Sequence, residues 1–511
     1  MKKNILPFLI TAGLFVLACD KDVQNPFVEP YAAANLDDKA GTWKTYILAS
    51  ANELPVAEPK PVTDGDYLKE LDSLKNYFSA SLSSEKRSAI EYWGAGSVYR
   101  WNEIARQLAA KYNLPPASNA EGKYPLPDAA NPLKDPKFPF ANPPYTSRAL
   151  AYLTVAQYDA LVTSWNYKYK YNRKAPYKVD SSVKNLLPST ELPSYPSEAA
   201  VVAASSFIVL SAMFPGEVPF LESKLAENKN AMLWAAMNTP SDIYAGDALG
   251  RAVAARVMAK AKTDGMGGAN NQAKVPAMIE KAKSLGIIDP WKSQEGPPRP
   301  PMLPTFGEVG PWNFNKSTME AIRPPLPWVV GTPQFEKDLN ELKDIQKNQT
   351  REQARIANFW ADGAGSYTPP AHWHRIGAEA CMEAQYSEVR MARTLALLGT
   401  AQMDAGIACW EAKNYYFTPR PQQFGLKTSV GLPNFPSYTS GHSTFSSAGA
   451  AVLSYVFPNR KQEFEGMANE ASLSRIYGLI HYRVDCEMGL AHGKLIGNYA
   501  VQRGQADGSG L

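Results

Sequence analysis

The chain is poor in cysteine. Of its 511 residues four are cysteines, at positions 19, 381, 409 and 486, and no two share a Cys-x-x-Cys spacing. This excludes a disulfide framework and a cysteine-based zinc site, and Cys381, Cys409 and Cys486 read as small buried hydrophobes. Charge of one sign is also lacking: a net charge of +4 over this length implies no nucleic-acid partner, so clusters of Lys and Arg are a local matter. Past the N-terminus no apolar run is long enough to cross a bilayer. The nearest, residues 199–213, reads as a buried core helix. Alternating apolar and polar residues are scarce, which leaves an all-α chain, long enough for two ordinary domains or one large helical one.

The N-terminus has Met1-Lys2-Lys3, an apolar run over residues 5–17 too short to span, and Val16-Leu17-Ala18-Cys19. It reads as a secretory signal over residues 1–19. Small residues before Cys19 resemble a bacterial lipobox, which would lipidate Cys19 and tether the protein to the cell envelope, on the periplasmic side or the outer surface. An ordinary signal peptide is the alternative. Residues 20–89 read as a polar tether with short helices. Residues 90–289 and 334–511 read as two helical bundles, separated by a connection over 290–333 that holds eleven of the 41 prolines and is expected to lack regular helix.

The two bundles carry a degenerate internal repeat. Pro193-Ser194-Tyr195 matches Pro436-Ser437-Tyr438 and Phe214-Pro215 matches Phe457-Pro458, both offset by 243, while Trp165-x2-Lys168 matches Trp410-x2-Lys413 at 245. Tyr244-x2-Asp247 matches Tyr482-x2-Asp485 at 238. Constant order at nearly constant spacing indicates duplication. On this alignment Ala199 stands opposite His442, Ile243 opposite His481, Met237 opposite Arg475 and Ala175 opposite Arg420. The first bundle is therefore expected to carry no site and to serve as a structural partner.

Chemistry concentrates in the second bundle. Lys413 and Arg420-Pro421 flank an aromatic segment, Ser440-Gly441-His442 precedes an Ala-rich run, and Ser474-Arg475-x5-His481-x3-Asp485 follows. Ser440-Gly441-His442 sits where a helix should begin, so free N–H groups and the helix dipole favour an anion there and Gly441 permits close approach. On a continuous helix His481 and Asp485 would lie one turn apart, Asp485 holding one ring nitrogen and leaving the other for an anion. Three cations match a multiply charged oxyanion, with arginine forks for its oxygens. His372, His374 and His492 read as packed or structurally hydrogen-bonded residues.

Lys-x6-Arg-Pro, then Ser-Gly-His, then Ser-Arg-x5-His-x3-Asp resembles the signature of the vanadium haloperoxidase and type 2 phosphatidic acid phosphatase superfamily. The resemblance implies that His481 makes the axial bond to vanadium or phosphorus, His442 is the acid/base, and Lys413, Arg420, Arg475, Ser440 and the Gly441 amide hold the equatorial oxygens. Trp410 and Phe435-Pro436-Ser437-Tyr438-Thr439-Ser440 are similar to strings of the soluble haloperoxidases, and put Trp410 and Phe435 in the pocket; Thr439 departs from the proline many members carry. The expected function is peroxide-dependent halide oxidation at a His481-bound vanadate. The alternatives are a phosphomonoesterase using no metal, with His481 as nucleophile, and a non-catalytic surface lipoprotein. A small-molecule substrate and a membrane contact through Cys19 are implied; self-association is left open.

Overall fold

The computed structural model describes residues 28–79 and 82–510, so the signal segment and Cys19 lie outside the described residues. Among the described residues every regular element is a helix, and no helix is long and apolar enough to cross a membrane. Eleven helices position the site: α1 (Ser97–Tyr112), α2 (Pro143–Tyr171), α3 (Glu198–Met213), α4 (Val218–Trp234), α5 (Pro240–Ala261), α6 (Arg351–Phe359), α7 (Thr368–Glu383), α8 (Glu388–Tyr416), α9 (Gly441–Val456), α10 (Lys461–Tyr477) and α11 (Arg483–Gln505).

The duplication is visible helix by helix. α2 and α8 are both 29 residues long, each opened by a polar side-chain cap, Asn142 or Ser387, and each closed by a left-handed residue, Asn172 or Phe417. α3 and α9 are both 16 residues long behind the caps Ser197 and Ser440, and α4 and α10 are both 17. α5 and α11 begin at Pro240 and Arg483, again 243 apart. Side chains repeat too. Arg148 Nε meets Asp264 Oδ2 at 2.6 Å, and Arg393 Nε meets Asp507 Oδ2 at 2.6 Å. Asp159 accepts the Tyr46 and Ile47 amides, as Asp404 accepts those of Trp312 and Asn313.

This register corrects the sequence alignment over the last helix of each half. The offset stays at 243, so Asp485 corresponds to Asp242, His481 to Asn238 rather than Ile243, and Arg475 to Met232 rather than Met237. The match of Tyr244 and Asp247 was coincidental: Tyr244 is 80% exposed and Asp247 pairs with Lys229 and Arg251 on the surface. Ala199 does stand opposite His442, and Ala175, preceding Pro176 as Arg420 precedes Pro421, stands opposite Arg420.

The two halves share one core, since α2 and α8 lie against each other and buried residues of both form a single cluster. Helix α3, apolar all round, is buried within it. Residues 28–57 are not a tether: Ala40, Trp43 and Leu48 are buried in this core, and Asp159 holds the backbone at 46–48. The proline-rich connection contains a short helix, Lys316–Ala321, where its prolines thin out, and Asp404 binds it to α8.

α9 and α11 approach until backbone meets backbone. A Cβ at Gly493 would lie 2.1 Å from the Thr444 carbonyl oxygen. Gly493→Ala is therefore expected to destabilise the protein by about 1–3 kcal/mol through overpacking. Gly466→Ala, at an exposed position of α10 with nothing within 4 Å of the added methyl, should instead stabilise by about 0.5–1 kcal/mol. Thermal melts of both variants check the contrast.

Candidate active site

Lys413 lies in the last turn of α8 and is fully buried. Its ammonium donates to the Pro436 and Ser437 carbonyls at 2.9 and 2.7 Å, so one of its three N–H groups remains for a ligand. Past Phe417 the chain turns, and Arg420 enters the same interior. It donates through Nε to the Phe435 carbonyl at 2.7 Å and through Nη1 to the Ile480 carbonyl at 2.6 Å. Both cations thus stitch the 435–440 loop in place, and both stand over the Phe435 ring, 5.1 and 4.9 Å from its centre.

That loop delivers α9. Ser440 caps the helix, its hydroxyl accepting the Ser443 amide, and its own amide donates to the Asp485 carbonyl at 2.9 Å. Around Gly441 a Cβ would meet only Trp410 and Phe445, at 3.9 and 4.0 Å. The space before the helix start is open to a ligand. His442 comes next, and its Nε2 is buried without a hydrogen-bond partner among the described residues.

His481 is not on a helix, contrary to the sequence expectation. α10 stops at Tyr477, Leu479 takes a left-handed conformation, and α11 starts at Arg483. His481 occupies the turn, and Asp485 is the third residue of α11. The pairing survives by other means: Asp485 Oδ2 lies 3.0 Å from His481 Nδ1 and accepts the Tyr482 amide and the Ser437 hydroxyl. Holding Nδ1–H in this way aims Nε2 away from Asp485, and Nε2 lies 3.4 Å from Arg420 Nη1. Arg475, at the end of α10, is held by the Ser474 hydroxyl and the Ala357 carbonyl of α6.

A cleft of about 330 Å³ opens over these groups, lined by Gly441, His442, Arg475, His481, Trp410 and Phe435. Lys413, Arg420, Ser440 and Asp485 stand behind that lining. Lys413, Arg420, Ser440, Gly441, His442, Arg475, His481 and Asp485, with Trp410 and Phe435, thus lie around one cleft, while Cys19 is outside the described residues. Two participants escaped the sequence reading. Ser437, inside the quoted Phe-Pro-Ser-Tyr string, bridges Lys413 and Asp485. Asp362, which lines the cleft, is 3.1 Å from His372 Nδ1 and close enough to Arg475 to favour its charge. His372 also stacks on Trp360, and His374 is hydrogen-bonded to Asn102, as expected of packed histidines.

The electrostatics are those of an anion site. Burial pushes Lys413 down to about 7, Arg420 to about 9 and Arg475 to about 10. Burial first, and then the neighbouring cations, hold His481 well below its ordinary value; His442 is lowered in the same way. Asp485 is pushed up to about 6, again by burial. Positive charge is thus buried in excess of negative, which costs free energy until an anion compensates it.

Comparison with known proteins bears on the fold. Residues 392–508 match the family model described as PAP2 superfamily. In three dimensions the chain is similar to the first bacterial vanadium-dependent iodoperoxidase, with a TM-score of 0.55 and 22% identity over 71% of this chain and 91% of that one. It is also similar to a holo-type bacterial vanadium-dependent chloroperoxidase, with a TM-score of 0.50 and 13% identity over 77% of this chain and 99% of that one. No curated protein sequence matches. The second half of the chain thus carries a PAP2-superfamily domain, and the all-α fold around it is that of the vanadium-dependent haloperoxidases.

Proposed function

We propose that the protein is a vanadium-dependent haloperoxidase, using peroxide to oxidise a halide. The observation that carries this reading is the buried excess of cations around an open helix start, with His442 Nε2 beside it, partnerless among the described residues. The donor set suits vanadate: Lys413, Arg420 and Arg475 would compensate its charge, the Ser440 hydroxyl and the Gly441 amide would supply hydrogen-bond donors, and His481 would hold it through Nε2. Bound vanadate supplies the activation of peroxide toward halide. His481 is kept neutral by burial and by the cations around it, and Asp485 fixes its tautomer. His442, also neutral, has Nε2 placed to act as the acid/base, and would accept a proton from peroxide there and hand it on. Trp410 and Phe435, 4.9 Å apart, form an apolar wall that restricts water.

The same cradle fits a phosphomonoester, with His481 as nucleophile and His442 as acid. Titrating the purified protein with orthovanadate separates the two. Vanadate should switch on peroxide-dependent iodide or bromide oxidation, whereas inhibition of p-nitrophenyl phosphate hydrolysis by vanadate would establish the phosphatase. Absence of both activities and of vanadate binding would overturn either reading. The proposal keeps Cys19 as a lipid anchor placing the enzyme in the bacterial envelope; labelled fatty acid should enter the wild type and not Cys19→Ser.

Anion binding should consume protons. Lys413 must be charged to serve an anion, yet without one it loses its proton near pH 7. A bound oxyanion raises that value, so above pH 7 binding takes up a proton and affinity falls, by up to about tenfold per pH unit for one proton. Calorimetry at pH 8 in buffers of different ionisation enthalpy measures the uptake, corrected for titration of the anion.

A further inference from the structure

We propose that an apolar cavity beside the reaction cleft seats the organic body of the substrate, and that the enzyme therefore acts on an apolar, ring-bearing molecule. This rests on the anion-cradle reading above. The cavity holds about 410 Å³, within the roughly 300–1,000 Å³ usual for small-molecule sites. It adjoins the cleft, with Phe140, Asn142, Arg299, Met302 and Asn434 lining both. Apart from Asn434, its walls come from three segments outside the PAP2 match: residues 116–145, residues 266–272 and the proline-rich connection.

Those segments are locked to each other and to the site. The Tyr124 hydroxyl donates to the Pro297 carbonyl at 2.7 Å, and the Gln272 amide to that of Pro301 at 2.8 Å. Met302 N donates to the Asn434 carbonyl at 3.0 Å, and the Met302 carbonyl accepts Trp410 Nε1 at 3.2 Å. The cavity is thus preformed, with proline and aromatic walls that favour an apolar guest at little ordering cost. At its rim Leu126 is 76% exposed, an apolar side chain left in water. At the junction, Arg299 pairs with Glu295 through Nη2 at 2.6 Å, while its Nε is buried without a partner among the described residues. That donor suits one polar atom on a molecule lying across both spaces.

Calorimetry on the whole protein with three probes tests this. Methylphosphonate reports the cradle, 4-phenylbutanol the annex, and 4-phenylbutylphosphonate both. The phenylbutyl phosphonate should bind at least tenfold more tightly than methylphosphonate, and the alcohol should bind saturably. Met266→Trp, which fills the annex, and Leu126→Glu, which charges its rim, should each remove that preference and leave methylphosphonate within about twofold. Equal affinity for the two phosphonates together with no binding of the alcohol overturns the proposal. Loss of methylphosphonate binding with the alcohol still bound would instead sink the cradle reading and leave the annex standing.

Discussion

His481→Ala is expected to abolish retention of orthovanadate, whereas His442→Ala should keep it bound and lower turnover by about 10²- to 10⁴-fold, the usual worth of a positioned acid/base. The two histidines differ in what holds them. His481 is fixed on one side by Asp485 at 3.0 Å, itself held by Ser437 and the Tyr482 amide, so its other nitrogen is aimed in one direction, toward Arg420. No other side chain in the cradle offers a neutral nitrogen so constrained. His442 has a buried Nε2 with no partner among the described residues, the condition of a group that waits for a proton rather than one that bears a fixed bond. Calorimetric titration of vanadate into both variants, with turnover measured in parallel, decides the assignment. Wild-type affinity in the His481 variant would refute it.

Lys413→Met should cost about 10²- to 10³-fold in turnover, the scale for removing one preorganised donor from a developing charge, while Lys168→Met should leave turnover per folded molecule unchanged. The two lysines are equivalent in the duplication. Lys168 repeats even the backbone contact of its counterpart, donating to the Pro193 carbonyl at 2.6 Å. What differs is the partner. Glu198 stands where the second half has Gly441, and its carboxylate lies 2.7 Å from Lys168. The first half thus supplies a carboxylate of its own to the lysine, and Asn238 stands where the second half has His481, accepting the Ser197 hydroxyl at 2.9 Å. Lys168→Met leaves that carboxylate unpaired. Since Glu198 keeps 24% of its side chain in water, the expected loss of stability is about 1–3 kcal/mol. Melting curves read this loss, and equal losses of turnover from the two substitutions would contradict the division of labour.

What the sequence determined by itself was the kind of chain and the identity of the cradle. Long Ala- and Leu-rich periodicity without alternation specified helices, because the pattern is local and each helix carries its own caps, from Asn142 to Ser440. Lys413, Arg420, His442, Arg475 and His481 were legible because groups with few structural uses recur within one short stretch. Tertiary structure alone decided how they are held. The break at residues 478–482 carries no proline, yet Leu479 is left-handed without being glycine, and Asp485 caps the helix that starts again at Arg483. The repeat register over α5 and α11 was ambiguous because exposed Tyr and Asp residues on helices match by chance, whereas the buried pair Asp242 and Asp485 is set by contacts. Ser437 and Asp362 reach the site across the fold, and the walls of the second cavity come from proline-rich segments that carry no motif. Such contributions depend on which surfaces the packed halves bring together, and spacing along the chain does not encode that.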